Sequence, residues 1–550
     1  MEDKLFVIGV GGTGMRCLES FVHLCAIGML DGQEINVLTL DTDAANGNLK
    51  RVRELINSYR SIKSGAVNDG GTPNQNTFFS SKLNYYHYHT NYMEQGTRDN
   101  YKNLSRVSES SAADENQMLS DLFLDKETVQ VFDLQHGYRA QTHLGSQLMF
   151  HGLVEAARNL ASGTNISDTE KSLGEFIDKL EQSGKNSRVF VFGSVFGGTG
   201  ASSIPVLPSA LREAIRIRSK GSDLDLKDVK FGSTLLTSYF QFTKPSDKQK
   251  QNTKDAVIAS SAFFPLNSQA ALQFYQGDPT VKSVYNKLYH IGWPLESRSV
   301  DSGKSETITG GANQTNGCHF VELVAACAAL DFFTAANVDT TGEANYVFRT
   351  GQYENGAFNF RASDLVGVEG NKDQKLISKL GAFLSLAHIA LSKNKGGFGD
   401  KGFLGLKKHL ENQNIDTFKN SITEADLEQL DDYMKKFGYY FTKDLEFKSG
   451  WIYQVRNSIA PGKFIFSNEA FVMSIKELES LDVGKLFEDP KYHWEATAKV
   501  LGMGGDTFQP WLKSLTDIEV NAEEHQLTHD KEKFIALLHD GIMQSQHSQK

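Results

Sequence analysis

The sequence predicts a doubly wound α/β protein: a mostly parallel sheet flanked by helices, one long buried helix, and a helix-rich C-terminal part. Three observations carry this. Two apolar strand-like runs, KLFVIGVGGTG from Lys4 to Gly14 and VFVFGSVFGGTGAS from Val189 to Ser202, each end in a glycine-rich turn that opens a helix. Further strand-like runs alternate with patterns of helical period, which is how parallel sheets are built. The run CHFVELVAACAALDFF, from Cys318 to Phe333, is apolar nearly all round, so a helix there is buried on most sides.

In chain order, the first glycine turn is followed by Met15, Leu18, Val22, Cys25 and Met29 at helical spacing, the mark of one buried face. The run INVLTLDTD then predicts a parallel strand ending in Asp41, Thr42 and Asp43, at the carboxyl edge where open α/β sheets bind ligands. Residues 63–77 have loop composition, and residues 93–118 are polar and serine-bearing, an excursion outside the core. Between them the run YYHYH puts His87 and His89 on one strand face; without a Cys or carboxylate cluster beside them, aromatic packing is favoured over a metal pair. A strand over 129–133 leads to a third glycine turn, Gly137 to Gly145, carrying Arg139, Ala140 and His143 ahead of an apolar helix.

The second glycine turn opens a helix at Ser202/Ser203 that ends near Arg216, with Pro205 and Pro208 in or just past its first turn. Strands follow within 229–242 and 284–293, then the buried helix. Beyond residue 345 helices dominate, over 376–391, 424–437 and 530–543, with short strands at 451–455 and 464–466. The expected division is a nucleotide-binding domain over 1–315, a core helix over 316–336, a C-terminal domain over 337–543 and a polar tail over 544–550.

The glycine turns point to phosphate. A turn that opens a helix presents unpaired backbone N–H groups and the positive end of the helix dipole. Gly197, Gly198 and Gly200 allow close approach, and Thr199 and Ser202 offer hydroxyls. A tight turn with no ligand is the plain alternative. No G-x-x-x-x-G-K-[ST] occurs, which excludes a P-loop NTPase. The formal net charge of −10 argues against general nucleic-acid binding, and no apolar run approaches a membrane span. Cys17, Cys25, Cys318 and Cys327 fall in apolar helical patterns with no C-x-x-C pair, and the N-terminus runs straight into a strand, so reduced core cysteines and a cytoplasmic location are expected.

Taken together, the glycine-rich first turn, the later strand running into Gly-Gly-Thr-Gly and the long buried helix resemble the tubulin/FtsZ GTPases, most closely the divergent bacterial tubulin-like proteins, over roughly residues 4–343. The resemblance implies a Rossmann-like GTPase domain binding GTP/GDP, with Mg2+ held mainly through the phosphates. Gly9, Gly11, Gly12, Thr13 and Gly14 match the first phosphate loop, Asp41, Thr42 and Asp43 the loop after the second strand, and Gly137, Arg139 and Ala140 the loop that senses the terminal phosphate. Gly197, Gly198, Thr199, Gly200, Ala201 and Ser202 match the signature loop, with Phe196 in place of its first glycine and Ser202 in place of its last. Asn316 is the counterpart of the guanine-binding Asn, with Asn313 and His319 as alternatives. Asp339 and Glu343 resemble the catalytic acids that reach a neighbouring subunit's nucleotide. The implied function is GTP hydrolysis on head-to-tail self-assembly into cytoskeleton-like filaments, with a possible protein partner for the C-terminal part.

Two rivals stand beside this. Residues 9–14 also fit G-x-G-x-x-G, and Asp41 lies near the expected ribose-binding acid, so an NAD(P)-dependent enzyme is one. A nucleotide-binding scaffold or switch without hydrolytic residues is the other.

Overall fold

The computed structural model describes residues 4–64, 70–89, 142–163, 166–219, 229–248, 263–293, 299–300, 307–338, 345–347, 352–354, 357–359, 402–412, 422–441, 463–466, 471–474 and 515–547, with a few isolated positions (118, 376, 379, 382, 383 and 386). In chain order, the elements used below are β1 (Lys4–Val10), α1 (Gly11–Ala26), β2 (Glu34–Asp41), α2 (Gly47–Ser64), β3 (Lys82–His89), α3 (Thr142–Ser162), α4 (Asp168–Ser183) and β4 (Ser187–Phe192). They continue with α5 (Thr199–Ser203), α6 (Leu207–Arg218), β5 (Lys230–Leu236), α7 (Phe264–Gly277), α8 (Pro279–Val284), β6 (Tyr285–Ile291), α9 (Phe320–Thr334) and β7 (Asn345–Val347). Last come α10 (Gly402–Asn412), α11 (Glu424–Phe441) and α12 (Asp530–His547).

β1 to β7 form one seven-stranded sheet in the order β3-β2-β1-β4-β5-β6-β7, every neighbouring pair parallel. The strands read as unbroken apolar runs because helices cover both faces. Alternate residues divide between two cores, as a period of two requires. Leu5 and Val7 of β1 and Phe190 and Phe192 of β4 pack with α1, α2 and α9. Phe6, Ile8 and Val10, with Val189 and Val191, pack with α3, α4 and α6.

α9 is buried along nearly its whole length because it lies between α1 and strands β4, β5 and β6. Its start is fixed by a capping box: the His319 ring accepts from the Val321 N–H, and Glu322 accepts from the His319 N–H. The core helix is therefore shorter than the predicted 316–336, and residues 316–319 lead into it without being part of it.

The helix expected from Ser202 to Arg216 is two helices. α5 opens earlier, at Thr199, and stops at Ser203; α6 restarts at Leu207 with Pro208 in its first turn. Pro205 and Pro208 lack the N–H groups a continuous helix would need there, so the chain breaks between them. β7 comes from beyond residue 337, and residues of α10, α11 and α12 share the core of α1 and α2.

Among the described residues all four cysteines are buried and unpaired, and no helix is long and apolar enough to cross a membrane. His87 stacks on Tyr85 at 6.1 Å, and no group of three or more metal-ligating side chains is found among the described residues. The predicted strands at 129–133 and 451–455 and the excursion at 93–118 fall outside the described residues, apart from the single position 118.

Candidate nucleotide site

The strand order reverses between β1 and β4: β2 and β3 lie to one side, β5 to β7 to the other. In such sheets the connections leave β1 and β4 toward opposite faces, opening a crevice at their carboxyl ends where ligands bind. Both glycine turns lie at this crevice, and they touch. A Cβ placed on Gly11 would stand 2.9 Å from the Thr199 Cβ and 3.6 Å from the Gly200 nitrogen.

The first turn is itself the first turn of α1. Gly11 has φ +66°, a conformation glycine adopts at little cost. No side chain caps α1 and no acidic residue lies in its first turn, so its N–H groups and positive dipole end are left for another acceptor. Gly14 is packed so closely that a Cβ would lie 2.5 Å from the Phe192 carbonyl oxygen. Gly12, Thr13, Gly197, Gly198 and Thr199 are all half-buried, giving the crevice an accessible lip on each side.

The second turn is braced differently. Ser202 is buried and its hydroxyl donates to the Gly198 carbonyl at 2.7 Å, so it stabilises the turn from inside. Ala201 is buried, and its carbonyl accepts from the Tyr275 hydroxyl at 2.6 Å. Phe196 packs against Phe264, Phe240 and Tyr239 at ring distances of 4.9, 5.6 and 6.0 Å. An aromatic wall thus stands behind the second turn.

At the end of β2 the three predicted residues have distinct roles. Asp43 is committed to structure, accepting from the Gly311 N–H at 2.6 Å and the Ala45 N–H at 3.2 Å. Asp41 accepts the Thr42 and Asp43 N–H groups on Oδ1, while its buried Oδ2 and the buried Thr42 hydroxyl have no hydrogen-bond partner within the protein. Burial and the neighbouring Asp43 push the Asp41 carboxyl up to about 7.

Asn316 is drawn against α2. Its side-chain oxygen accepts from Asn48, and its N–H donates to Asn48 in return, at 2.9 and 3.1 Å. Asn46 caps α2 through the Asn48 N–H and donates to Gln314 at 2.7 Å. A Cβ on Gly12 would meet Asn48, Asn46 and Gln314 at 3.4 to 3.7 Å, so these amides form the β2-side rim of the first turn. Sequence reading missed Asn46, Asn48 and Gln314, although an Asn just ahead of a helix is a recognisable cap.

Beneath this rim lies a buried ionic network. Arg16 of α1 is 2.5 Å from Glu322 of α9 and donates to the Gly317 carbonyl, and Tyr239 donates to Glu322. Arg51 of α2 binds Glu19 at 2.7 Å and the Asn316 carbonyl at 2.6 Å. Burial raises the Glu322 carboxyl, and Arg16 opposes that shift.

Gly137, Arg139, Ala140, Asp339 and Glu343 lie outside the described residues. His143 is exposed on α3, and Ser146 of the same helix sits 2.8 Å from the Ser202 carbonyl, so α3 packs against the second turn. Asn313 is exposed in the loop before α9, and His319 is the buried cap of that helix. Compared with protein-family models, with curated proteins and with solved structures, the chain matches none of them.

Proposed function

We propose that this chain is a tubulin/FtsZ-like GTP-binding protein that holds GTP/GDP across its two glycine turns and hydrolyses GTP when copies assemble head to tail into filaments. The observation that carries the reading is the contact of Gly11 with Thr199 where the strand order reverses. One anionic chain of phosphates would lie over both turns at once, taking N–H groups from Gly12, Thr13 and the 197–199 segment. Asp41 Oδ2 and the Thr42 hydroxyl, buried without a partner within the protein, would be the side chains to hold Mg2+, which takes one or two carboxylates together with phosphate oxygens and water.

The chemistry asks little more of the site. Phosphoryl transfer to water depends on positioning and on neutralising charge at the phosphates. Asp339 and Glu343 of a neighbouring copy would position the attacking water, which makes turnover wait for assembly. The C-terminal helices are the surface we assign to a protein partner.

One observation favours a second reading. The order β3-β2-β1-β4-β5-β6, a glycine turn after β1 and an acid ending β2 also suit a dinucleotide, with Asp41 on a ribose hydroxyl. Thermal shift separates the two. GTP at 100 times its dissociation constant should add ~2.7 kcal/mol of stability, and Thr199→Ala should shrink that gain. A shift with NAD and none with GTP would overturn the proposal. No GTP turnover at any protein concentration would leave a non-hydrolysing switch, and turnover per molecule that stays flat as light scattering rises would uncouple hydrolysis from assembly.

A further inference from the structure

We propose that the hollow between α7 and the carboxyl ends of β5 and β6 is a second ligand site, built for an uncharged, flat heteroaromatic molecule with amide-like edges. The hollow measures about 730 Å³ and is open to solvent, within the ~300–1,000 Å³ range of small-molecule sites. α7 turns a whole face to it: Ser268, Gln269, Leu272, Gln273 and Gln276 recur at helical spacing. Thr237, Ser238 and Trp293 form the opposite wall.

The chemistry of the lining selects the ligand. Among the described residues that line the hollow none is Asp, Glu, Lys or Arg, and burial lowers the pKa of His290, which keeps that ring neutral at pH 7. A charged ligand finds no counter-charge among these residues to offset the hydration it gives up. Each glutamine amide both donates and accepts, matching the N–H and C=O of a lactam edge, and the indole of Trp293 offers an aromatic face.

The site is distinct from the glycine turns in character but next to them in space. The Val195 N–H donates to the Leu236 carbonyl at 2.9 Å, which puts Thr237 and Ser238 one strand away from the second turn. Tyr275 of α7 pins the helix to that turn through Ala201.

The test uses the full chain with three uncharged probes: lumiflavin, caffeine and guanosine. At least one should bind saturably, read as a rise in thermal midpoint and, for lumiflavin, as fluorescence quenching. Gln273 is exposed, so Gln273→Glu places a carboxylate in the wall without touching the core, and affinity should fall at least tenfold while Gln273→Asn largely preserves it. Binding should persist with GTP at saturation. The proposal is overturned by no saturable binding of any probe, by equal affinity in the Glu variant, or by mutual exclusion with GTP, which would make the hollow the base end of the nucleotide site.

Discussion

The two glycine turns meet at the centre of the sheet but differ in what they ask of glycine and in what stands behind them. In the first, backbone conformation demands glycine at Gly11, where φ is +66°, and space demands it at Gly14. In the second, Gly198 has an ordinary φ of −81° and the demand is for space: a Cβ on Gly200 would lie 2.8 Å from both the nitrogen and the oxygen of Ser194. Behind the first turn are mainly ions and amides, Arg16, Glu322, Asn48 and Asn316; behind the second are mainly rings, Phe196, Tyr239, Phe240 and Phe264, and the two meet where Arg16 lies over the Tyr239 and Phe240 rings and Tyr239 donates to Glu322. Charge responds to pH and to a bound cation, whereas packed rings do not. A ligand in the crevice therefore meets an adjustable lip backed mainly by charge and a stiffer one backed mainly by rings.

The largest effects should come from removing either foundation. Phe196→Ala takes out the ring at the centre of the aromatic wall, a loss of ~3–5 kcal/mol. Glu322→Ala strands the Arg16 guanidinium in the interior, a loss of similar size, ~3–5 kcal/mol. The two differ in how they are repaired. Combining Arg16→Met with Glu322→Gln removes the buried charge from both sides and should recover much of the stability in urea denaturation. If the double variant is no more stable than Glu322→Ala, the ionic foundation has been misread.

The contact between the turns gives a smaller, more pointed test. Gly11→Ala forces an L-residue into left-handed backbone, at ~1–2 kcal/mol, and drives its methyl into Thr199. Thr199→Gly relieves the second penalty and leaves the first. The double-mutant cycle should then show a coupling of ~0.5–3 kcal/mol, while simple additivity would mean that the turns do not press on one another.

What sequence could reveal follows the same division. Both turns, the strands before them and the buried helix were legible because glycine clusters and unbroken apolar runs are local signals. The rim of Asn46, Asn48 and Gln314 was not, since Asn46 and Gln314 are brought together by the fold from 268 positions apart. Nor was the break between α5 and α6 placed: Pro205 and Pro208 were read as tolerated near a helix start, whereas their combined loss of donors splits the helix. Phe196 stood out as a departure from a glycine signature, but its ring partners come from the segment that follows β5 and from the start of α7, which no local pattern could show.

The adjustable lip should reveal itself through pH. The Asp41 carboxyl lies near 7 in the folded protein and ~3.9 when unfolded, so between those values the folded state holds the proton that the unfolded state has lost. Stability from this group is therefore full at acid pH and falls as pH rises toward 7. Asp41→Asn keeps an oxygen for the Thr42 and Asp43 N–H groups and removes the titration. In the absence of nucleotide it should be the more stable protein at pH 8, by up to ~4 kcal/mol, with the advantage gone near pH 4. The same variant should show a smaller stabilisation by GTP with Mg2+. A variant with unchanged pH dependence would mean that Asp41 is ionised throughout.

The smallest expected effect lies where the C-terminal segment reaches the first-turn side of the molecule. Residues 525–528 run beside residues 72–75: the Gln75 N–H donates to the His525 carbonyl, and Asn74 donates to the Gln526 carbonyl. The His525 ring faces two acceptors, the Gln75 carbonyl at 3.0 Å and the Asp540 carboxylate of α12 at 2.9 Å. Only the imidazolium has a hydrogen for each. Asp540 is the main cause of the raised His525 pKa, so the stabilisation is complete below the unfolded value near ~6.5 and is lost as pH climbs through the folded one. His525→Ala should cost ~1 kcal/mol at pH 6 and less at pH 9, because the charged ring is the part that matters. Amide hydrogen exchange along α12, corrected for its intrinsic pH dependence, should quicken with pH in the unmodified chain and be nearly insensitive in the variant. Equal protection of α12 in both proteins at every pH would show that Thr72, Asn74 and the apolar face of α12 hold this segment in place without the histidine.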